Sequence, residues 1–286
     1  PTPDPTPTPD PTPTPDPTAT PDPTATPAPD PTPAPAPSPT SPPPPYSPPA
    51  VAPRSIDLFA AAGFRYQDPN WAACTATSVR TMLNLVSMRQ VGGAGFRWQV
   101  TNSAAVRDAI LAWERKHDTM PGGYGSDPHG WRNALNFYGW GPEAVIAGSR
   151  VYDDYSYPSF DSAMKAAVRA IVSTGKPVGL LSWRGAHAQM VTGYYGLAGN
   201  PFDKDATGRY TNAFSVAGFY LTDPLRSSFA VNRATKYSTL KSTSTFKLRF
   251  QRYYETDSRF DDPYTPGYRV STKEWYGRFT VILPIR

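Results

Sequence analysis

Residues 1–50 hold 24 of the chain's 36 prolines, a density that rules out a packed fold for this stretch. The unit PTPDPT recurs with small drifts, mixing Pro with Thr, Ala and Asp, so there is little apolar surface to bury and few backbone donors to pair. Polyproline II is the conformation open to such a segment, and at about 3.1 Å per residue it would reach roughly 150 Å as a semi-stiff spacer. Residues 1–53 therefore read as a disordered Pro/Thr/Asp-rich linker or stalk, and residues 54–286 as one folded domain with a single sizeable core.

The first fifty residues carry five Asp and no Lys or Arg, so the formal +5 of the whole chain becomes +10 for the domain. That balance suits anionic surroundings, such as an acidic peptide or a teichoic-acid-bearing cell wall. Nucleic acid is not expected as a partner, because no Lys/Arg cluster is interleaved with aromatics. No apolar run approaches the length of a membrane span. The first residue is Pro rather than Met, which reads as a mature form or a fragment lacking its targeting segment, and the stalk suggests an extracellular or surface location. A monomer is expected.

Within the domain, helical spacing comes first. Ala76, Val79, Met82, Leu83 and Val86 recur at three and four residues, predicting a helix over residues 72–88 with Asn70 as its cap. A second helix is predicted from Ser103 to Lys116, with Val106, Ile110 and Trp113 facing inward. A third has Asp127 as cap, Pro128 at the first helical position and Gly139 as stop. A fourth runs from Ser159 to Gly175. Then the period changes: Pro177–Trp183, Ala188–Tyr195, Ala217–Thr222 and Arg278–Leu283 are strand candidates, with another at Thr245–Tyr253. Helices followed by strands describe an α+β domain with a mostly antiparallel sheet. Residues 224–274 give no further pattern.

Cys74 is the only cysteine in the chain, and an exported protein cannot use a single cysteine for an internal disulfide. Burial as a small apolar residue is one account and nucleophilic chemistry the other; the neighbourhood favours the second. In the first turn of a helix the macrodipole would stabilise a thiolate. His187, after the turn-like Arg184-Gly185-Ala186 and opening an apolar strand, stands where a side chain can face a cleft. An imidazole used as a base needs its second nitrogen held by an acceptor, and Asp223, at the end of the strand AGFYLT, is the candidate. An oxyanion would need donors: the Cys74 amide, and the side chain of Gln67 seven residues upstream.

Gln upstream of a helix-opening Cys, a Gly-Lys-Pro-Val strand leading to Gly-Ala-His, and a later strand ending in Asp-Pro together resemble the papain-like cysteine peptidases. The likeness is greatest to the bacterial branch that includes the bacteriocin leader-processing peptidases, and covers about residues 64–224. It implies a helical lobe packed on an antiparallel sheet with a cleft between them. It also implies Cys74 as nucleophile, His187 as general base, Asp223 as its orienter and Gln67 as oxyanion donor. Two departures stand out. Thr75 follows the nucleophile where many relatives have Gly, and the Gln-to-Cys interval is one residue longer than in papain, which leaves Asn70 as a second candidate donor.

The implied activity is hydrolysis of peptide bonds through an acyl-enzyme, with a peptide or protein as substrate. The same triad also serves acyl transfer and cell-wall amidase chemistry. A catalytically silent binding module on a stalk is the alternative from a different class. No cofactor and no metal is expected, since three scattered histidines and one cysteine lack ligand spacing. His117 is expected to face solvent. At His129, in a first helical turn, a positive imidazole is disfavoured, though that turn could line a cleft. The string DKDATG at residues 203–208 begins like a calcium loop, but position twelve is Phe214, so a polar hairpin loop is expected. Tyr152, Tyr155, Tyr157 and Phe160 form an aromatic cluster suited to groove lining or to packing.

Overall fold

The computed structural model describes residues 46–119, 125–225, 231–242, 250–253 and 274–286. Their helices are α1 (Cys74–Met88), α2 (Ala104–His117), α3 (Pro128–Trp140), α4 (Phe160–Thr174) and the short α5 (Tyr237–Lys241). The strands are β1 (Ile56–Asp57), β2 (Tyr152–Tyr157), β3 (Val178–Ser182), β4 (His187–Tyr195), β5 (Gly218–Thr222), β6 (Arg233–Lys236) and β7 (Phe279–Pro284). They form one 7-stranded sheet in the order β2-β7-β3-β4-β5-β6, with β1 added against β4. Every pairing of these strands is antiparallel, so the domain is α+β with a mostly antiparallel sheet. No helix among the described residues is long and apolar enough to cross a membrane.

Local chemistry accounts for most element ends. The Asp127 carboxylate accepts from the Gly130 amide at 2.8 Å with Pro128 at the first helical position, so α3 starts as its sequence predicts. It runs through Gly139, however, and stops at Gly141, whose φ of 106° breaks the helix. Gly139 is instead a contact glycine: a Cβ there would lie 3.0 Å from Leu83 of α1. Ser159 caps α4 through the Ser162 amide, and Gly175 ends it in the left-handed conformation. Asn70 does not cap α1. Its Oδ1 takes the Ala72 amide at 3.1 Å, turning the chain just before the helix, and Ala73 holds the cap position without a side-chain bond.

The sheet separates two apolar cores. On one face α4 lays Met164, Val168 and Ile171 against Val178, Leu180, Val191, Phe219, Leu221 and Val281. On the other, α1, α2 and α3 bring Val79, Met82, Leu83, Ile110 and Trp131 onto Ala188, Met190 and Ile282. Alternation along a strand does this sorting: Val281 faces one core and Ile282 the other. On α2 the inward face is Arg107, Ile110, Leu111 and Glu114, a quarter-turn from the Val106–Trp113 face that the apolar spacing suggests.

Two segments depart from the sequence reading. The aromatic cluster at residues 152–157 is an edge strand, paired with β7 from Tyr152↔Pro284 to Tyr157↔Phe279. Tyr152 is buried under the helices, Phe160 joins the α4 core, and Tyr155 remains exposed. Within residues 224–274 lie β6 and α5, with β6 continuing the sheet beyond β5. Of the strand expected at 245–253, residues 245–249 lie outside the described residues, and Tyr253 makes a single parallel bridge to Tyr276.

Gly179 of β3 sets how closely α3 approaches the sheet. A Cβ there would fall 2.6 Å from the buried Trp131 ring and 3.1 Å from Ile282. Gly179→Val should therefore cost about 1–3 kcal/mol through overpacking, read as a lower urea midpoint at unchanged m. A neutral outcome would show that the interface between helix and sheet yields easily.

Candidate active site

Cys74 is the first residue of α1, so its thiol stands where unpaired helical amides and the positive end of the helix dipole face outward. From Thr75 to Val86 the helix is buried on all sides between sheet and neighbouring helices, while Cys74 keeps partial exposure. The His187 side chain and the backbone amides of Ala188 and Thr75 lie close enough to the thiol to favour its ionised form. Those contacts join the start of a helix to the start of a strand 113 residues later.

His187 reaches this place through a tight turn. Trp183, Arg184 and Gly185 follow β3 with φ values of 53°, 60° and 102°, three left-handed residues in succession. Gly185 is needed there for space as well, because a Cβ would sit 2.2 Å from the Tyr253 ring. The Trp183 ring lies 4.4 Å from the imidazole, flanking it. His187 itself is buried, and its Nε2 donates to Asp223 Oδ1 at 2.7 Å, which leaves Nδ1 as the nitrogen for the sulfur. Asp223 is held in turn by the Gln189 amide group at 2.7 Å and by the Leu225 amide at 2.8 Å. Ser182 donates to Gln189 Oε1 at 2.8 Å. Gln189 and Ser182 are absent from the sequence reading. The available signal was the period of two: Gln189 follows His187 by two residues on one strand face.

Burial works against charge on His187, but the hydrogen bond to Asp223, then that to Cys74 and both negative charges, outweigh it and push the imidazolium up to about 9. For Cys74, burial raises the thiol, yet the hydrogen bond and charge of His187, aided by the two amides, bring it below its ordinary range. The two shifts favour one state, a thiolate beside an imidazolium.

A second acid lies directly behind the sulfur. Glu114 of α2 is fully buried; its Oε2 accepts from Thr75 Oγ1 at 2.7 Å and its Oε1 has no partner. Burial pushes this carboxyl well above the carboxylate range; the Thr75 bond opposes that, and the charges of Cys74, Asp118 and Asp127 reinforce it. The hydroxyl of Thr75 is thus turned toward α2, into the helical lobe.

Gln67 is buried beside this centre. Its backbone amide donates to the Pro224 carbonyl at 2.8 Å, tying its loop to the residue after Asp223, and Arg107 binds its carbonyl at 2.8 Å. Its side-chain Nε2 donates to the Trp71 carbonyl at 2.9 Å, which leaves one N–H for other use. Asn70 Nδ2 turns to Asp108 of α2 at 3.3 Å, away from an oxyanion role. Trp71, three residues before Cys74, is 76 % exposed.

The other histidines differ from expectation. His117 is half-buried, stacked 3.8 Å from the Trp113 ring, with Nδ1 2.7 Å from the Trp113 carbonyl. His129 is fully buried; burial disfavours its charge, but Asp154, then Glu274, outweigh that and raise it despite the nearby Arg132. Its Nε2 lies 3.6 Å from both Asp154 Oδ2 and Glu274 Oε1, and ligand atoms of the three residues fall within 4.8 Å of one another. Spacing among histidines alone could not reveal this grouping, because both carboxylates arrive from the sheet side. Arg132 already pairs with Asp154, and the Trp275 indole donates to it at 3.0 Å, so the group reads as a charge network locking α3 to β2. The 203–208 string is a hairpin loop in which Asp205 accepts from Thr207 and Arg209.

No family model, no curated protein and no solved structure matches the chain.

The thiolate–imidazolium pair should show in alkylation of Cys74 followed by mass spectrometry across pH. Reaction should begin below the ordinary thiol range, and His187→Ala should move its onset upward; an unchanged profile would exclude the pairing. Because the His187 value is raised, the imidazolium is present below about 9 and is lost above it. Glu114→Gln keeps an acceptor for Thr75 without charge and should leave stability within about 0.5 kcal/mol, whereas Glu114→Ala should cost about 2–4 kcal/mol in urea unfolding. Equal losses in the two variants would mean that Glu114 is buried ionised.

Proposed function

We propose that the domain is a papain-like cysteine peptidase-type hydrolase, cleaving peptide bonds through an acyl-enzyme on Cys74, and that it acts outside the cell or at its surface. The observation that carries this reading is the meeting of Cys74 with His187, whose far nitrogen bonds Asp223 at 2.7 Å. Its support in the fold is a helical lobe carrying the sulfur and an antiparallel sheet carrying the imidazole.

In this mechanism the Cys74 thiolate attacks the scissile carbonyl carbon, forming the C–S bond while the carbonyl π electrons move to oxygen. The oxyanion takes hydrogen bonds from the Cys74 amide and the remaining Gln67 Nε2 proton. Collapse of the tetrahedral species breaks the C–N bond, and the imidazolium Nδ1 gives its proton to the leaving amine. A water molecule then attacks the thioester, its proton passing to His187, and the C–S bond breaks to release the acid and restore the ion pair. Asp223, gripped by Gln189 and Leu225, keeps the ring oriented through both half-reactions. The exposed Trp71, three residues before Cys74, offers an aromatic surface for an extended substrate. The same atoms would serve acyl transfer or cross-bridge cleavage with an amine or a wall peptide in place of the soluble substrate.

Digestion of a peptide library beside purified cell wall tests the reading. Cys74→Ala should abolish cleavage, by about 1,000-fold or more, with the unfolding transition unchanged. His187→Ala should match it within roughly tenfold, since nucleophile and base act as a unit, and Asp223→Ala should cost less. Full hydrolysis by Cys74→Ala would overturn the assignment. Absence of both cleavage and His187-dependent labelling by a thiol-directed probe would point to the silent binding module.

A further inference from the structure

At the end of β3 remote from His187, a cavity of about 500 Å³ opens between α4, the loop after α1 and the turn that follows α3. Its wall includes Tyr46, Gly92, Gly93, Ala94, Gly95 and Lys176. Lys176 is only 4 % exposed, and its ammonium has one acceptor, the Thr174 carbonyl at a long 3.5 Å. An ammonium has three donors and loses its hydration on burial, so two N–H groups here lack an acceptor among the described residues. No carboxylate offsets that loss: desolvation alone accounts for the fall of its pKa to about 8. Buried lysines are ordinarily paired, which makes this one an anomaly to be explained.

The facing loop supplies donors of the same kind. None of the backbone amides of residues 92–95 bonds to an acceptor among the described residues, while Gly93 and Gly95 adopt φ values of 72° and 76°. Alternating left-handed glycines turn successive N–H groups to one side, the arrangement that cradles oxyanions. We propose that this cavity is an anion site that takes a phosphate group, free or esterified, through the Lys176 ammonium and the amides of the 92–95 loop. A lysine point charge and a set of amides suit the several acceptor oxygens of phosphate better than the planar pair of a carboxylate. Arg286 also lines the cavity and adds positive charge; Glu143, exposed in the wall, opposes it. At about 3.3 Å per residue, the six steps from Lys176 to Ser182, the residue opposite His187, span roughly 20 Å. It stands independently of the chemistry proposed for Cys74.

Calorimetric titration of the full chain with inorganic phosphate, glycerol 3-phosphate and acetate tests this. Phosphate should bind saturably, and Cys74→Ala should bind it equally well. Lys176→Met should weaken it about tenfold or more, given what a charge-assisted contact contributes. In phosphate-free buffer the same variant should melt higher than the wild type, because an uncompensated buried charge has been removed. Should Lys176→Met fail to fold, Ala94→Asp carries the test: the position is exposed, and a carboxylate there should abolish binding. Glu143→Gln should tighten it. Stronger binding of glycerol 3-phosphate would assign the site to an esterified phosphate such as a polyol-phosphate polymer, and equal binding to the free ion. Absence of phosphate binding, preference for acetate, or unaltered affinity in both Lys176→Met and Ala94→Asp would overturn the proposal.

Discussion

The antiparallel register of β4 is the constraint on which the meeting of Cys74, His187 and Asp223 depends. β3 pairs with β4 so that Ser182 stands opposite His187, and β5 pairs so that Thr222 stands opposite Met190. Asp223, one residue past Thr222, is thereby delivered beside Gln189 and within reach of the His187 ring. A slip of one residue would turn His187 and Gln189 to the other sheet face and dismantle the whole arrangement. Turn geometry and apolar alternation hold that register: Ala188 and Met190 are committed to the helical core and Val191 to the α4 core. The chemistry of the imidazole is, in this sense, a by-product of apolar packing on its neighbours.

α1 poses the complementary problem, a helix buried nearly all round that is rich in polar side chains. Asn84 shows how the cost is met: its amide donates to the Gly63 and Thr101 carbonyls, and its oxygen accepts from Trp98 and the Thr101 amide. All four of its hydrogen-bonding positions are used, so the segments on either side of α1 are cross-tied through one side chain. Thr75 and Glu114 form a weaker version of this tie, with one carboxyl oxygen left over. The helix is thus located by polar ties as much as by apolar contact, and Cys74 inherits that placement.

Much of this architecture was legible in the sequence because local rules and tertiary packing agree. Asp127-Pro128 starts α3, Ser159 and Gly175 bound α4, and the strands from Val178, His187, Gly218 and Phe279 lie within a residue or two of their sequence estimates. The residues singled out by type (Cys74, His187 and Asp223) do come together. What could not be read rests on partners distant in sequence. Asn70 prefers to turn its own loop, Gly139 answers to Leu83 rather than to a stop signal, and β2 exists only because β7 lies beside it. Glu114 has no local signature, and the period-two spacing of Gln189 from His187 gains meaning only from a carboxylate on another strand. Lys176 sits within the Gly-Lys-Pro-Val string, yet its lack of an anionic neighbour is a property of the fold alone.

The state of the sulfur has a cost beyond its pairing with His187. A thiol whose pKa is lowered and which keeps partial exposure is the kind that peroxide oxidises first, passing to the sulfenic acid. Chains with a nearby second cysteine can trap that species as a disulfide and recover it, but here there is none to resolve it. Further oxidation to the sulfinic level would be permanent. Survival of the reduced form in an oxidising milieu therefore depends on small-molecule thiols reaching Cys74 past Trp183, whose indole flanks the His187 imidazole.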